Sequence, residues 1–278
     1  MDRRDNIYIF EDTMKRIRRS PVLSEAVSGS IDNEKLILEK DDYIPSVDII
    51  YPEKAKIVVS RKRTLEAAVG YKGMPTAILN FASAVSPGGG VTKGSSAQEE
   101  SICRCTTLYP CLKTQYLWNN FYDSHRNGFD RRNTDDTIYT PSVICIKQDE
   151  LYPVIMEEQY WFSVNVITTA APDLHRPKYP GERGCVNLTD NELMVLHTKR
   201  AKRILSIAAG EGNEAVILGA FGCGAFHNPP RIVAEAYRKV IEADFIHRFK
   251  VIEFAIYTNP FREDSGNFGV FSDVFGVC

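Results

Sequence analysis

Residues 79–101 read LNFASAVSPGGGVTKGSSAQEES, where an apolar run passes into three consecutive glycines and then into Gln-Glu-Glu. The uncharged stretch 76–83, TAILNFAS, predicts a strand buried on both faces of a sheet. Residues 95–112 predict a helix that stops near Pro110. Glycine loses more backbone freedom on folding than any other residue, so a glycine triplet is costly to order. We therefore expect this strand, loop and helix to form a ligand site at the carboxyl end of the strand.

A second junction of the same kind lies in the carboxyl-terminal third of the chain. AVILGAF, residues 215–221, predicts a buried strand that leads into the glycine-rich turn GCGAF, and residues 230–244 predict a helix. Two such loops side by side could bind a diphosphate through their backbone N–H groups. Neither loop matches G-x-G-x-x-G, and no P-loop motif occurs, so a purely structural role for either loop alone stays open.

The rest of the chain alternates predicted strands and helices. Strands are predicted at 55–60, 142–147, 162–172 and 251–258, and helices at 7–19, 63–73 and 189–209. Apolar strands between helices predict an α/β fold with a largely parallel or mixed sheet covered on both faces. We expect one domain over residues 1–278, in which residues 1–50 are an N-terminal accessory segment.

Composition excludes several classes of protein. The 278 residues are 44% hydrophobic and 25% charged, as in ordinary globular proteins, and the net charge of -2 predicts no general or sequence-specific nucleic-acid binding. The seven cysteines are odd in number and lack a C-x-x-C pair, which predicts reduced thiols and no metal. The sequence shows no signal peptide or membrane-length apolar run, so we expect a cytoplasmic monomer without a membrane partner.

Glu99 and Glu100 allow two interpretations. Ser96 and Glu99 have the spacing of a capping box, and the helix dipole favours acids in a first turn, so both acids could be structural. In the second interpretation the acids lie beside a phosphate-binding loop, where their negative charge would repel the phosphate. Such a placement is favourable only if the acids contact a neutral part of the ligand, such as a sugar. A carboxylate there can bind ribose hydroxyls, and a carboxylic acid can protonate a glycosidic oxygen and then activate water.

Other reactive residue types are interpreted as structural. Cys223 precedes His227 by four residues, but spacing in a loop does not establish a catalytic pair. Cys103 and Cys105 lie on a predicted helix, where their side chains point apart. The basic run KRAKR, residues 199–203, predicts the solvated face of its helix.

The stretch 79–101, with GGG and QEE separated by residues 91–97, resembles the signature of the poly(ADP-ribose) glycohydrolases. TTAAPDL (168–174) and GAFGCGAFHNPP (219–230) resemble the compact bacterial type, so the similarity spans most of the chain. The resemblance implies a macrodomain-like three-layer α/β/α fold with a mixed central sheet and an N-terminal helical extension. It also implies a glycosidase that hydrolyses ribose-ribose O-glycosidic bonds of poly(ADP-ribose) and releases ADP-ribose without a cofactor.

The same resemblance implies a role for each matching residue. Glu100 would be the general acid and base, and Glu99 would hold ribose hydroxyls. Asn80 would lie near the ribose, and Gln98 completes the motif. Phe226 would pack against the adenosine side of the ligand. The residues expected to approach the diphosphate and the distal ribose are Gly88, Gly89, Gly90, Gly222, Gly224, Ala225 and Phe226.

Two alternative functions stay open at this point. The same pocket could remove mono-ADP-ribose from a protein or nucleic acid, because it need only recognise the terminal unit. A non-catalytic reader of ADP-ribose is the other alternative. The presence of both Glu99 and Glu100 argues against the reader, since binding alone requires no acid at the scissile bond. The expected partners are poly(ADP-ribose) or ADP-ribosylated macromolecules.

Overall fold

Helices and strands alternate along the residues that the computed structural model describes, 2–128, 130–175, 186–258 and 266–277. The helices are α1 (Arg3–Arg19), α2 (Pro21–Asp32), α3 (Thr64–Val69), α4 (Gln98–Cys105), α5 (Leu108–Leu112), α6 (Gln115–Leu117), α7 (Asp123–Asn127), α8 (Asp190–Gly210), α9 (Pro230–Val240) and α10 (Asn267–Phe275). The strands are β1 (Lys35–Ile37), β2 (Lys56–Ser60), β3 (Thr76–Phe81), β4 (Thr137–Cys145), β5 (Phe162–Thr169), β6 (Ala215–Leu218) and β7 (Val251–Ala255). None of these helices has both the length and the apolar character needed to cross a membrane.

The strands form one sheet in the order β1-β4-β5-β3-β6-β7-β2. Strands β5, β3, β6, β7 and β2 run parallel, whereas β4 pairs antiparallel with both β1 and β5. Ala77 of β3 lies opposite Asn165 of β5 on one side and Val216 of β6 on the other. The mixed sheet is confirmed, and the carboxyl ends of β3 and β6 lie side by side.

Side chains of β3 alternate between two helical layers. Ala77 and Leu79 belong to a buried core that includes residues of α8 and α9. Ile78 belongs to a second core that includes residues of α3 and α4 on the opposite face. Successive strand residues point to opposite faces, so this alternation accounts for the uncharged sequence of β3. The predicted three-layer α/β/α arrangement is confirmed.

Helix α1 packs against the segment that links the glycine triplet to α4. Its Phe10 belongs to the same core as α4. Asn6 Nδ2 donates to the carbonyl of Gly94 at 2.9 Å, and Thr13 Oγ1 donates to the carbonyl of Arg104 at 2.5 Å. The N-terminal helix therefore holds the loop and α4 at both ends, while the division of the chain into one domain with a 1–50 accessory segment stays a prediction.

Two predicted helices end earlier in the structure. The helix expected over 63–73 is α3, which ends at Val69 because Gly70 already caps it. The helix expected over 95–112 is broken at residues 106–107, where Thr107 N donates to Ile144 O of β4 at 3.0 Å. Pro110 lies in the first turn of α5. Backbone N–H groups in the first turn have no partner within the helix, so proline, which lacks this group, is tolerated there.

The basic run 199–203 is not the fully solvated face that its composition predicts. Arg200 is 1% exposed, and its Nε donates to Asp135 Oδ1 at 2.8 Å. Lys199 is exposed but lies 2.9 Å from Asp135 Oδ2. A buried arginine requires a partner to offset its desolvation, and Asp135 supplies that partner from the segment before β4.

Candidate active site

The glycine triplet follows β3 and adopts backbone conformations that favour glycine. Gly88 and Gly89 have φ values of 64° and 58°, in the left-handed region. A Cβ at Gly88 would lie 2.7 Å from Tyr109 Cδ2, and a Cβ at Gly89 would lie 2.6 Å from Glu100 Oε1 and 2.9 Å from Glu99 Oε2. The loop therefore passes directly over both carboxylates with no room for a side chain.

Glu100 is held by one carboxylate oxygen. Gly90 N donates to Glu100 Oε1 at 2.8 Å, and the side chain is 7% exposed. Glu100 Oε2 is buried and has no hydrogen-bond partner among the described residues. Since buried polar atoms are nearly always hydrogen-bonded, an unpartnered carboxylate oxygen marks a position where a ligand atom would bind.

Glu99 points back toward the end of β3. Its Oε2 accepts from Ser83 N at 2.8 Å, and Asn80 Nδ2 lies 3.4 Å from its Oε1. Burial raises the pKa of Glu99 to about 8, and the charge of Glu100 adds to this rise. At neutral pH this pair of neighbouring carboxyl groups therefore holds a proton.

The predicted capping box between Ser96 and Glu99 does not form. Helix α4 has Ala97 as its N-cap, without a side-chain hydrogen bond, and the carboxylate of Glu99 accepts instead from Ser83 N. The two acids are thus oriented by backbone N–H groups of the loop before the helix rather than by helix capping. Of the two interpretations, contact with a substrate is therefore favoured for both acids.

Asn80 and Gln98 connect β3 with α4. Asn80 is fully buried, donates to Thr168 Oγ1 at 3.2 Å, and has an Oδ1 without a partner among the described residues. Gln98 Oε1 accepts from Phe81 N at 2.9 Å, and its Nε2 donates to Leu79 O at 2.7 Å. Gln98 thereby fastens the start of the helix to the strand, which explains why glutamine precedes the two acids.

The second loop has one tightly packed glycine and one open glycine. Gly222 has a φ of 75°, and a Cβ there would lie 2.6 Å from both Ala171 Cβ and Asn228 Nδ2. A Cβ at Gly224 would meet no atom of the described residues within 4 Å. The backbone at Gly224 therefore borders open space, as a loop that approaches a ligand requires.

A cavity of about 310 Å³, here called cavity I, lies between the second loop and the start of α4. Arg63 also borders it, with its guanidinium 3.9 Å from the ring centre of Tyr257. The expected site residues in its wall are Gln98, Gly222, Gly224, Ala225 and Phe226. Asn80, Gly88 and the two glutamates are buried, Gly89 and Gly90 are half-buried, and none of these six residues is part of the lining of this cavity.

Three residues that position the site, Asn228, Ser83 and Asn6, are not among those that the sequence predicted. Asn228 Nδ2 donates to Pro172 O at 2.7 Å and to Gly222 O at 3.0 Å, which fixes the second loop. Ser83 N orients Glu99, and Asn6 holds the first loop. The stretch HNPP after the second loop contains Asn228 and was a signal that could have identified it.

Cys223 and His227 do not act on each other. Cys223 Sγ lies 3.7 Å from Phe221 O, and burial raises the pKa of its thiol to about 12. The ring of His227 stacks on that of His175, with centroids 5.4 Å apart. A protonated thiol is a poor nucleophile, so the structural interpretation of this pair is supported.

Comparison with known protein families agrees with the geometry. A model of the catalytic domain of microbial-type poly(ADP-ribose) glycohydrolase matches residues 16–148, which include β3, the first loop and both glutamates. None of the curated proteins compared with this sequence matches it.

Solved structures match over nearly the whole chain. Poly(ADP-ribose) glycohydrolase from Thermomonospora curvata is 26% identical, with 98% of this chain and 100% of that chain covered and a TM-score of 0.80. A structure of that enzyme bound to the inhibitor ADP-HPD has 26% identity, coverage of 96% and 98%, and a TM-score of 0.79. The Deinococcus radiodurans enzyme in complex with ADP-ribose is 26% identical, with coverage of 91% and 98% and a TM-score of 0.75. By the family match over residues 16–148 and by these structures over nearly its whole length, the chain is similar to the microbial-type poly(ADP-ribose) glycohydrolases.

Proposed function

We propose that this protein hydrolyses the ribose-ribose O-glycosidic bonds of poly(ADP-ribose) and releases ADP-ribose, with Glu100 as the general acid and base. The single observation that carries the role of Glu100 is its buried Oε2, which lacks a hydrogen-bond partner within the described part of the chain while Oε1 is fixed by Gly90 N. One oxygen is thus oriented by the protein, and the other makes no bond to the described residues that a substrate would have to replace. The enzymatic activity is that of the microbial-type poly(ADP-ribose) glycohydrolases, to which the chain is similar.

In the proposed reaction, Glu100 donates a proton to the oxygen that leaves C1″ of the terminal ribose. The C1″–O bond breaks with an oxocarbenium-like transition state, and the leaving oxygen becomes the 2′-hydroxyl of the next unit. Water then adds to C1″ and returns a proton to Glu100, which restores the acid. The negative diphosphate of the terminal unit can stabilise the developing positive charge.

Glu99 is proposed to bind the ribose hydroxyls. Its carboxyl group is buried and fixed by Ser83 N, and its pKa of about 8 keeps it largely neutral at pH 7. A neutral carboxyl group both donates and accepts hydrogen bonds, as a pair of sugar hydroxyls does. Asn80 contacts the same carboxyl group and is proposed to help orient it.

The two glycine loops are proposed to divide the rest of the ligand. Gly88, Gly89 and Gly90 would approach the distal ribose, because they lie over both carboxylates. The second loop would bind the diphosphate in cavity I, where the backbone at Gly224 borders open space. The adenosine would lie in the same cavity, against Phe226, and the Deinococcus radiodurans complex with ADP-ribose supports this ligand. That the protein acts as a cytoplasmic monomer stays a prediction.

Incubation with poly(ADP-ribose) and, separately, with a mono-ADP-ribosylated protein tests the proposal. Free ADP-ribose is followed by mass spectrometry, and we expect release from the polymer. Release from the mono-modified protein alone would change the function to removal of terminal units. Binding of ADP-ribose without release from either substrate would make the protein a reader.

A further inference from the structure

A second cavity of about 510 Å³, here called cavity II, lies beside cavity I. Phe226 lines both cavities, so the two cavities meet at this residue. One wall of cavity II is Ser83, Ala84 and Val85, the segment that joins β3 to the glycine triplet. The cavity therefore borders the segment that leads into the glycine triplet over the two glutamates.

Two guanidinium groups border cavity II and are held in place. Arg126 Nη1 donates to Val85 O at 3.3 Å, and its guanidinium lies 5.3 Å from the ring centre of Trp118. Arg131 donates to Asp173 Oδ2 through Nε at 3.1 Å and Nη2 at 2.5 Å. Two arginines and one aspartate give the wall a net positive charge, and fixed guanidinium groups are well suited to bind phosphate oxygens.

Flat rings complete the rim of cavity II. His175 lines the cavity and stacks on His227, and Leu174 N donates to Phe226 O at 3.0 Å. The last bond ties the segment that carries His175 to the second glycine loop. Accessible rings beside cations are the combination with which proteins bind the bases and phosphates of nucleotides, and His175 is half-buried.

Cavity II is also close to the reacting groups. Ser83, in its wall, donates its backbone N–H to Glu99 Oε2 at 2.8 Å. Gln98, which precedes the two glutamates, lines cavity I. Glu99 is thus bonded to a residue in the wall of cavity II, and its neighbour in sequence, Gln98, lines cavity I.

We propose that cavity II binds the penultimate ADP-ribose unit of the polymer, with Arg126 and Arg131 on the diphosphate of that unit. This inference rests on the proposed function, in which cavity I takes the terminal unit. The penultimate unit contains the 2′-oxygen that leaves C1″, so it must lie on the side of the glutamates away from cavity I. It carries its own diphosphate, which the positive wall of cavity II complements.

Two substrates separate this inference from the proposed function. One is poly(ADP-ribose), and the other is ADP-ribose that carries a neutral aryl leaving group on C1″ and therefore lacks a penultimate unit. Arg126 is exposed, so Arg126→Gln and Arg126→Glu should fold. Arg238→Gln is the matched control, because Arg238 is an exposed arginine on α9 that lines neither cavity.

We expect Arg126→Gln to raise KM for the polymer by about 5-fold. Arg126→Glu should raise it by more than about 10-fold, because a like charge would face the diphosphate. Neither variant should change hydrolysis of the aryl substrate, and Arg238→Gln should change neither. An unchanged KM for the polymer, or equal losses on both substrates, would overturn the inference. Failure of the wild-type protein to cleave the polymer would instead overturn the proposed function, before any variant is compared.

Discussion

The two glycine loops of this protein look alike in sequence but are packed in opposite ways. The first loop is filled: a Cβ at Gly89 would lie 2.6 Å from Glu100 Oε1, and a Cβ at Gly90 would lie 2.3 Å from Ser95 Oγ. The second loop is tightly packed at Gly222 but open at Gly224, where a Cβ would meet no atom of the described chain within 4 Å. The first loop therefore positions protein side chains, and the second leaves space for a ligand.

This difference assigns chemistry to one loop and binding to the other. The first loop fixes Glu100 through Gly90 N and leaves Glu100 Oε2 without a partner among the described residues. The second loop, held by Asn228, lines cavity I. Substitutions in the first loop should therefore lower turnover, and those in the second should lower affinity.

The largest expected effect is that of Glu100→Gln. The amide keeps the size of the side chain and can still accept from Gly90 N, but it cannot donate a proton to the leaving oxygen. We expect kcat on poly(ADP-ribose) to fall by about 10²- to 10⁴-fold. ADP-ribose affinity, measured by calorimetry, should change by less than about 3-fold. Turnover within a few-fold of the wild-type protein would contradict the role given to Glu100.

The comparison itself is tested by Gly89→Ala and Gly224→Ala. Alanine at Gly89 must adopt a φ of 58° and displace the carboxylates, so stability should fall by about 1–3 kcal/mol. A displaced catalytic group should lower kcat by about 10²-fold.

Gly224→Ala is the matched substitution in the open loop. It should change stability by less than about 0.5 kcal/mol. It should weaken ADP-ribose binding, because the new methyl group occupies space proposed for the diphosphate. Stability is measured by thermal melting, turnover by kcat and ADP-ribose affinity by calorimetry, for both variants. Equal effects of the two substitutions would contradict the assignment of chemistry to the first loop and binding to the second.

Glu99→Gln tests the burial of the carboxyl group under the first loop, through the pH dependence of protein stability. Burial raises the pKa of Glu99 from its ordinary value of 4.5 to about 8, so the folded protein binds a proton that the unfolded chain has lost. The wild-type protein should therefore lose stability as the pH rises from about 4.5 to about 8. The variant lacks this loss, and we expect its Tm to equal that of the wild-type protein near pH 5 and to be about 3–6 °C higher at pH 9. A Tm difference that does not vary with pH would show that Glu99 titrates normally.

The smallest expected effect is that of Asn6→Ala, which removes the hydrogen bond from α1 to Gly94 at the end of the first loop. The variant leaves the buried carbonyl of Gly94 without its donor, at a cost of about 1–2 kcal/mol. We expect kcat to fall by several-fold while ADP-ribose affinity is unchanged, because the second loop is not touched. Melting curves and steady-state kinetics measure both effects, with the exposed Arg238→Gln as the control. A loss of affinity without a loss of kcat would contradict the role of α1 in holding the first loop.

Local patterns in the sequence predicted the parts of the site that lie within one strand, loop and helix. The uncharged run of β3 reflects burial on both faces, and the parallel pairing of β3 with β6 brings the two loops together. The contacts that orient the site could not be predicted in this way. Asn6 and Gly94 are 88 residues apart, and Arg200 and Asp135 are 65 apart, so no periodic pattern relates them.

The incorrect prediction of a capping box shows that sequence patterns are also insufficient within a single helix. Ser96 and Glu99 have the correct spacing, yet Glu99 accepts from Ser83 N, whose position depends on how the loop folds back over α4. Sequence spacing describes which bonds are possible along a helix, whereas tertiary packing decides which of them form.

The central claim is that water cleaves the glycosidic bond at C1″ with the help of Glu100. Hydrolysis of poly(ADP-ribose) in ¹⁸O-labelled water, read by mass spectrometry at short times with free ADP-ribose as the exchange control, tests this directly. We predict that the wild-type protein releases ADP-ribose with one labelled oxygen on its terminal ribose, and that Glu100→Gln releases almost none. Label on a phosphate, or labelled ADP-ribose released equally by the variant, would contradict the account.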